Sequence, residues 1–244
     1  MRKKSMILLL TLAAALYPQS IKECCAAHDF ARYLRGDTVF GADGAFDTTY
    51  SRIRVYFDRV AQSRDSSRTH PTCAVSGFDQ LRGVVTPFSG VITLDTIYPC
   101  QNRPDCDTGV FFISGTYKFD ENRTAENRGC FRGTLHFMFQ YANGQPVRPK
   151  HMMQANDDWT NFDYAGTWRR YDNGVETPCC WAEGRKPDLP LGQRFDCGGA
   201  WFRPCGIYIY NGWEAYRFSP DTIFDTKYWW KLDGPKSRFA RMPW

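Results

Sequence analysis

Nowhere in the 244-residue chain do eighteen apolar residues follow one another, which excludes a bundle of membrane-spanning helices. Glutamate and lysine are scarce, at six and nine against 20 aspartates and 22 arginines. Good polar helix formers are thus few while Asp, Asn, Gly and Pro abound, and a mainly helical fold is excluded. The four histidines, His28, His70, His136 and His151, are scattered, and no C-x-x-C spacing occurs. Neither a metal site nor a cofactor is expected. Beyond the N-terminus the longest basic clusters are pairs such as Arg169-Arg170, so no stripe exists to neutralise a phosphate backbone and nucleic acid is not an expected partner. G-x-S-x-G is absent as well. Asp107-Thr108-Gly109 matches the aspartic protease tripeptide, but that chemistry needs two facing carboxylates and no second copy exists, so the tripeptide reads as a turn.

What is present begins with the charge. The chain carries a formal +5, yet Arg2, Lys3 and Lys4 account for three of those charges and stand directly before the apolar run 6–17. With Ala13-Ala14-Ala15 behind it, this is the pattern of a signal peptide over residues 1–20. Its removal leaves 28 basic and 26 acidic side chains, about +2. A secreted, periplasmic or extracellular protein is expected.

Ten cysteines in that compartment read as disulfides. They are Cys24, Cys25, Cys73, Cys100, Cys106, Cys130, Cys179, Cys180, Cys197 and Cys205. Adjacent cysteines rarely bridge each other, so each Cys-Cys pair should reach two different partners. The simplest partition joins Cys179 and Cys180 to Cys197 and Cys205, closes Cys100 to Cys106, and ties Cys24 and Cys25 to Cys73 and Cys130.

Residues 22–35 place Cys24, Ala27, Phe30, Ala31 and Leu34 at helical spacing, with Gly36 as a stop. From residue 50 the period changes to two: Ile53, Val55 and Phe57 alternate with Arg52, Arg54, Tyr56 and Asp58. A short phrase of large apolar residue, small or polar residue, glycine and β-branched residue then recurs at 88–91, 113–116, 131–134 and 164–167. Its irregular spacing argues against a propeller and for successive antiparallel strands, each phrase marking a strand entry. The expected fold is mainly β, an antiparallel β-barrel or β-sandwich stapled by disulfides, with a short N-terminal helix. Residues 142–158 are the expected long loop, dividing 21–145, helix plus β module, from a Trp-rich β module over 146–244; one continuous β domain over 21–244 is the alternative.

All eight tryptophans fall between residues 159 and 244. Trp181, Trp201, Trp213, Trp229 and Trp230 are the candidate ligand-binding residues, whose flat faces suit a glycan or a small apolar ligand; a β module filling its core with large side chains is the plainer reading. Glycoside hydrolysis would need two carboxylates across a cleft, and Glu214 with Asp157, Asp158, Glu176 or Glu183 supplies candidates. His136, mid-strand opposite Leu135 and Phe137, lacks a nucleophile motif beside it. Asn122-Arg123-Thr124 is a formal glycosylation sequon.

The octapeptide Asn161-Phe162-Asp163-Tyr164-Ala165-Gly166-Thr167-Trp168 resembles the lipocalin signature, an Asn-Phe-Asp start followed by aromatic-x-Gly-x-Trp. In that family the signature lies on the first barrel strand; here its halves are run together, and it begins at residue 161. The resemblance implies that Trp168 packs at the base of a β-barrel or sandwich. Together these readings point to an exported, non-catalytic binding or surface-interaction protein with an aromatic-rich ligand surface. Its alternatives are a secreted carbohydrate-active enzyme with paired carboxylates and a structural envelope or matrix protein.

Overall fold

A capping box starts the first helix: the Ser20 hydroxyl accepts from Glu23 N–H and the Glu23 carboxylate from Ser20 N–H, both at 3.2 Å. The computed structural model describes residues 20–36, 41–65, 69–100, 109–122, 128–143, 145–147, 160–184, 195, 197 and 203–216. The expected signal peptide, all but Ser20, therefore lies outside the described residues. The single helix expected over 22–35 is two, α1 (Ile21–Ala27) and α2 (Ala31–Leu34). The break has a local cause, because the Asp29 carboxylate accepts from Ala31 N–H at 2.8 Å and restarts the helix there. Gln62 holds the break in place, accepting from Phe30 N–H and donating to the carbonyls of Cys25 and His28. Gly36, at φ +68°, ends α2 as expected.

Nine strands follow: β1 (Ala42–Phe46), β2 (Ser51–Gln62), β3 (Thr72–Leu81), β4 (Val84–Pro99), β5 (Val110–Glu121), β6 (Gly129–Ala142), β7 (Gln145–Val147), β8 (Thr160–Arg170) and β9 (Glu176–Gly184). Each of β1 to β6 pairs antiparallel with the next; β6 then pairs with β8, β8 with β9, and β9 returns to β1. The result is an eight-stranded closed barrel, with β7 a hairpin extension of β6 turned at Asn143. The barrel thus runs across the expected boundary at 145, since β8 and β9 close the same sheet as β1.

Ile53, Val55 and Phe57 point into the barrel, as the alternation in β2 requires. The glycine phrases lie inside strands β4, β5, β6 and β8, and not at their entries. Gly133 and Gly166 face each other across β6 and β8, where a Cβ on Gly133 would stand 2.1 Å from the Ala165 carbonyl oxygen and 2.7 Å from Gly166 Cα. They let two strands approach closely inside a lumen crowded with aromatic rings.

The helices plug one end. Phe30 and Leu34, both buried, enter the lumen, and the Phe30 ring lies 5.1 Å from that of Phe139. At the other end Phe46 meets Trp168 edge-on at 5.6 Å. The outer wall of β1, β2 and β9 is covered too: Phe195, Tyr208, Ile209 and Trp213 form a second core with Ala45, Tyr50 and Cys180. That cover explains why Arg52 and Arg54, expected on the solvent side of β2, are nearly buried. Arg52 pairs with Asp43 at 2.8 Å and its guanidinium lies over Trp213 and Tyr216.

The cysteine partition needs correction. Cys197 bridges Cys205 and not the adjacent pair at 179 and 180, which, as strand neighbours, face opposite sides of the wall. Cys179 lies in the lumen and Cys180 under the cover. Cys130 cannot join Cys24, Cys25 and Cys73, because it faces outward at the far end of β6 beside Asp120 while those three lie at the plugged end. Cys100 is disulfide-bonded, and its expected partner, Cys106, lies outside the described residues. No described helix is long and apolar enough to cross a membrane.

Candidate functional site in the barrel lumen

Three strands aim large amphipathic rings at one another inside the barrel: Tyr117 from β5, Tyr164 from β8 and Trp181 from β9. Tyr164 and Trp181 stack with centroids 5.3 Å apart and planes 15° apart, and the Tyr117 ring meets them edge-on at 5.4 and 5.3 Å. None of the three is more than 3% exposed. Phe57 and Phe131 pack on the rim of the cluster. The polar atom of each, two hydroxyls and the indole nitrogen, is buried with no hydrogen-bond partner among the described residues. Burial pushes both phenols far above their ordinary range, so both stay protonated. Leaving such groups unpaired costs about 1–3 kcal/mol each, a penalty that phenylalanine in their place would not carry.

Between this cluster and α2 lies a cavity of about 20 Å³ lined by Leu34, Gly36, Phe162, Tyr164, Trp181 and Glu183. It is large enough for one water molecule. Phe162 reaches it from a bulge in β8, where its φ of +52° is the left-handed conformation that bulky side chains avoid.

The far end of the lumen holds a polar group. Trp168 Nε1 and Gly129 N–H donate to Glu121 at 2.8 and 2.5 Å, and Arg128 donates to Thr86 at 2.5 Å. Asp79, 3% exposed, lies close enough to Glu121 for the two carboxyls to act on each other. Burial first, and then the Glu121 charge, hold the Asp79 carboxyl well above the ordinary range; burial raises Glu121 as well, against the pull of Trp168, Gly129 and Arg128. The pair holds a proton on Asp79 and the charge on Glu121. These two acids are sealed beneath Trp168, which packs at the barrel base as the octapeptide implied.

A larger concavity, about 480 Å³, runs along the seam between plug and barrel, with Lys22, His28, Asp29, Gln62, Arg64 and Asp65 among its lining residues.

Of the expected ligand-binding tryptophans, Trp181 belongs to the luminal cluster, while Trp213 is completely buried in the outer cover and donates to the Tyr50 carbonyl at 2.7 Å. Trp201, Trp229 and Trp230 lie outside the described residues, as do Asp157 and Asp158. Glu183 lies at the plugged mouth and Glu214 outside the wall near Arg52 and Trp213, so β9, β1 and β2 separate them. Glu176 pairs with Arg132 on the outer surface. His136 is exposed on β6.

Sequence reasoning missed Tyr117, Tyr164, Asp79 and Glu121. Tyr164 could have been found, since it opens the last glycine phrase and shares the inward face with Gly166 and Trp168. Asp79 left a weaker signal, an acid in register with Val75 and Gly77 on an apolar strand face. Comparison of the chain with family models, with curated proteins and with solved structures finds no match.

Proposed function

We propose that the protein is an exported, non-catalytic binding protein that takes a small, flat, uncharged ligand bearing a hydrogen-bond acceptor into the barrel lumen. The observation that carries this reading is the cluster of Tyr117, Tyr164 and Trp181, whose three buried polar atoms have no partner among the described residues. Indole N–H only donates and each protonated phenol can donate, so the ligand that satisfies them is an acceptor, such as a carbonyl or an ether oxygen. Stacked rings favour a flat body. A charged ligand would lose its hydration among phenylalanines, and an anion would also face the Glu183 carboxyl at the cavity. The cavity at the cluster holds only one water, so entry of a ligand requires α2, only four residues long, and the rings beneath it to move aside. The N-terminal sequence supports export, and the Cys197–Cys205 bridge is in keeping with an oxidising compartment.

The test uses prodan, a neutral naphthalene ketone whose emission shifts to the blue on leaving water. The expected result is saturable, blue-shifted binding that weakens about tenfold in the Tyr164→Phe, Trp181→Phe double variant, the loss of about 1.4 kcal/mol of hydrogen bonding. Circular dichroism establishes that the variant is folded. Absence of saturable binding, or equal affinity in the folded variant, overturns the proposal.

A further inference from the structure

The helical plug carries an unused pair of thiols. Cys25 of α1 and Cys73 of β3 are both buried at the plugged end of the barrel. Gln62 locates them relative to each other: its side-chain Nε2 lies 2.7 Å from the Cys25 carbonyl oxygen, and Cys73 is its directly opposed partner across β2 and β3. Opposed residues in an antiparallel pair have Cα atoms about 4.5–5.5 Å apart and side chains on the same face, so Gln62 and Cys73 project together toward the end of α1. Cys24, the other thiol of α1, points elsewhere, with Sγ 3.3 Å from the Tyr141 hydroxyl on β6.

We infer that Cys25 and Cys73 form a disulfide in the exported protein, stapling the plug to the barrel mouth. Two thiols give up two protons and two electrons, one S–S bond forms, and a disulfide oxidant such as oxidised glutathione takes up both to become two thiols. The thiolate required for attack is disfavoured once the site is buried: desolvation pushes the Cys73 thiol up to about 12 and Cys25 higher still, with Cys24 and Cys73 adding to the rise at Cys25. The bond therefore forms before the plug seats, and once seated it is protected from exchange. This inference is independent of what the lumen binds.

The experiment folds the protein in a glutathione redox buffer, blocks remaining thiols by alkylation and digests with trypsin without reduction. Cleavage at Lys22, Arg32, Arg68 and Arg82 yields peptides 23–32 and 69–82, expected as one linked species by mass spectrometry. Electron-transfer fragmentation should place the bond at Cys25. The linked species should survive Cys24→Ser and vanish in Cys25→Ser. Both peptides recovered alkylated, or a bond placed at Cys24, overturns the inference. Hydrogen exchange supplies a second measurement on the wild-type chain: reduction should raise exchange in residues 21–34 several-fold while β5 and β6 stay protected, and an unchanged plug contradicts the stapling role.

Discussion

At the scale of single residues, the interior acids carry the clearest energetic consequence. Asp79 is protonated when folded because burial and the Glu121 charge oppose its ionisation, whereas in the unfolded chain it ionises near its ordinary value. The folded state thus binds the proton more tightly. Its stabilising contribution is complete below the unfolded pKa and is lost as pH rises through the folded one. Asp79→Asn keeps a donor toward Glu121 but has no proton to lose. Urea unfolding should show the variant gaining on the wild type by about 1–2 kcal/mol between about pH 5 and about pH 8, and parallel stability curves would refute the assignment. Asp79 was hidden in the sequence because acids are normally exposed, and only the closed barrel turns that face of β3 inward. Trp181 was legible as an aromatic bet, but its partners were not. Tyr117 and Tyr164 lie 47 residues apart in sequence and meet only through the pairing of β5 and β6 with β8.

At the scale of elements, strands were the legible part. Period two in β2 follows from local chemistry, which is written in neighbouring residues, whereas the long loop expected from residue 142 instead begins with a hairpin turn at Asn143 into β7. The Asp29 turn that splits α1 from α2 is local, but the hold that Gln62 keeps on the break from β2 was not legible. Recurrence of the glycine phrase was visible, but its placement within strands was not, because the facing of Gly133 and Gly166 is a register between β6 and β8. That facing makes a sharp prediction. A side chain on Gly133 meets the backbone of β8, not a flexible side-chain end, so the strands must part. Gly133→Val should destabilise the barrel by about 3 kcal/mol or more, an overpacking cost that exceeds the β-propensity gain. Gly206→Val is the control, at the start of a short 3-10 turn where a Cβ meets nothing within 4 Å and the backbone is not left-handed. Equal unfolding midpoints for the two variants would show that β6 and β8 have room to spare.

For the molecule as a whole, the barrel wall separates two aromatic layers with different duties. The lumen is lined by rings from seven of the eight barrel strands, while the outer cover is gathered locally from Phe195, Tyr208, Ile209 and Trp213 and stapled by Cys197–Cys205. Sequence clustering of tryptophans suggested one aromatic surface; closure of β9 onto β1 distributes Trp181 and Trp213 to opposite sides of one wall. Such closure joins residues more than 130 positions apart, and no local pattern encodes it. The division can be measured. Trp213→Ala removes a fully buried indole, its hydrogen bond to Tyr50 and the ring beneath Arg52, and should cost about 3–5 kcal/mol in urea unfolding. Because the wall stands between Trp213 and the lumen, prodan affinity in the folded fraction should stay within about twofold of wild type. Trp181→Phe should do the reverse, weakening prodan while changing stability by less than about 1.5 kcal/mol, since the lost volume is partly offset by the loss of a buried, unpaired N–H. If both variants weaken prodan equally, the two layers are coupled through β9 and the lumen is not a separate site.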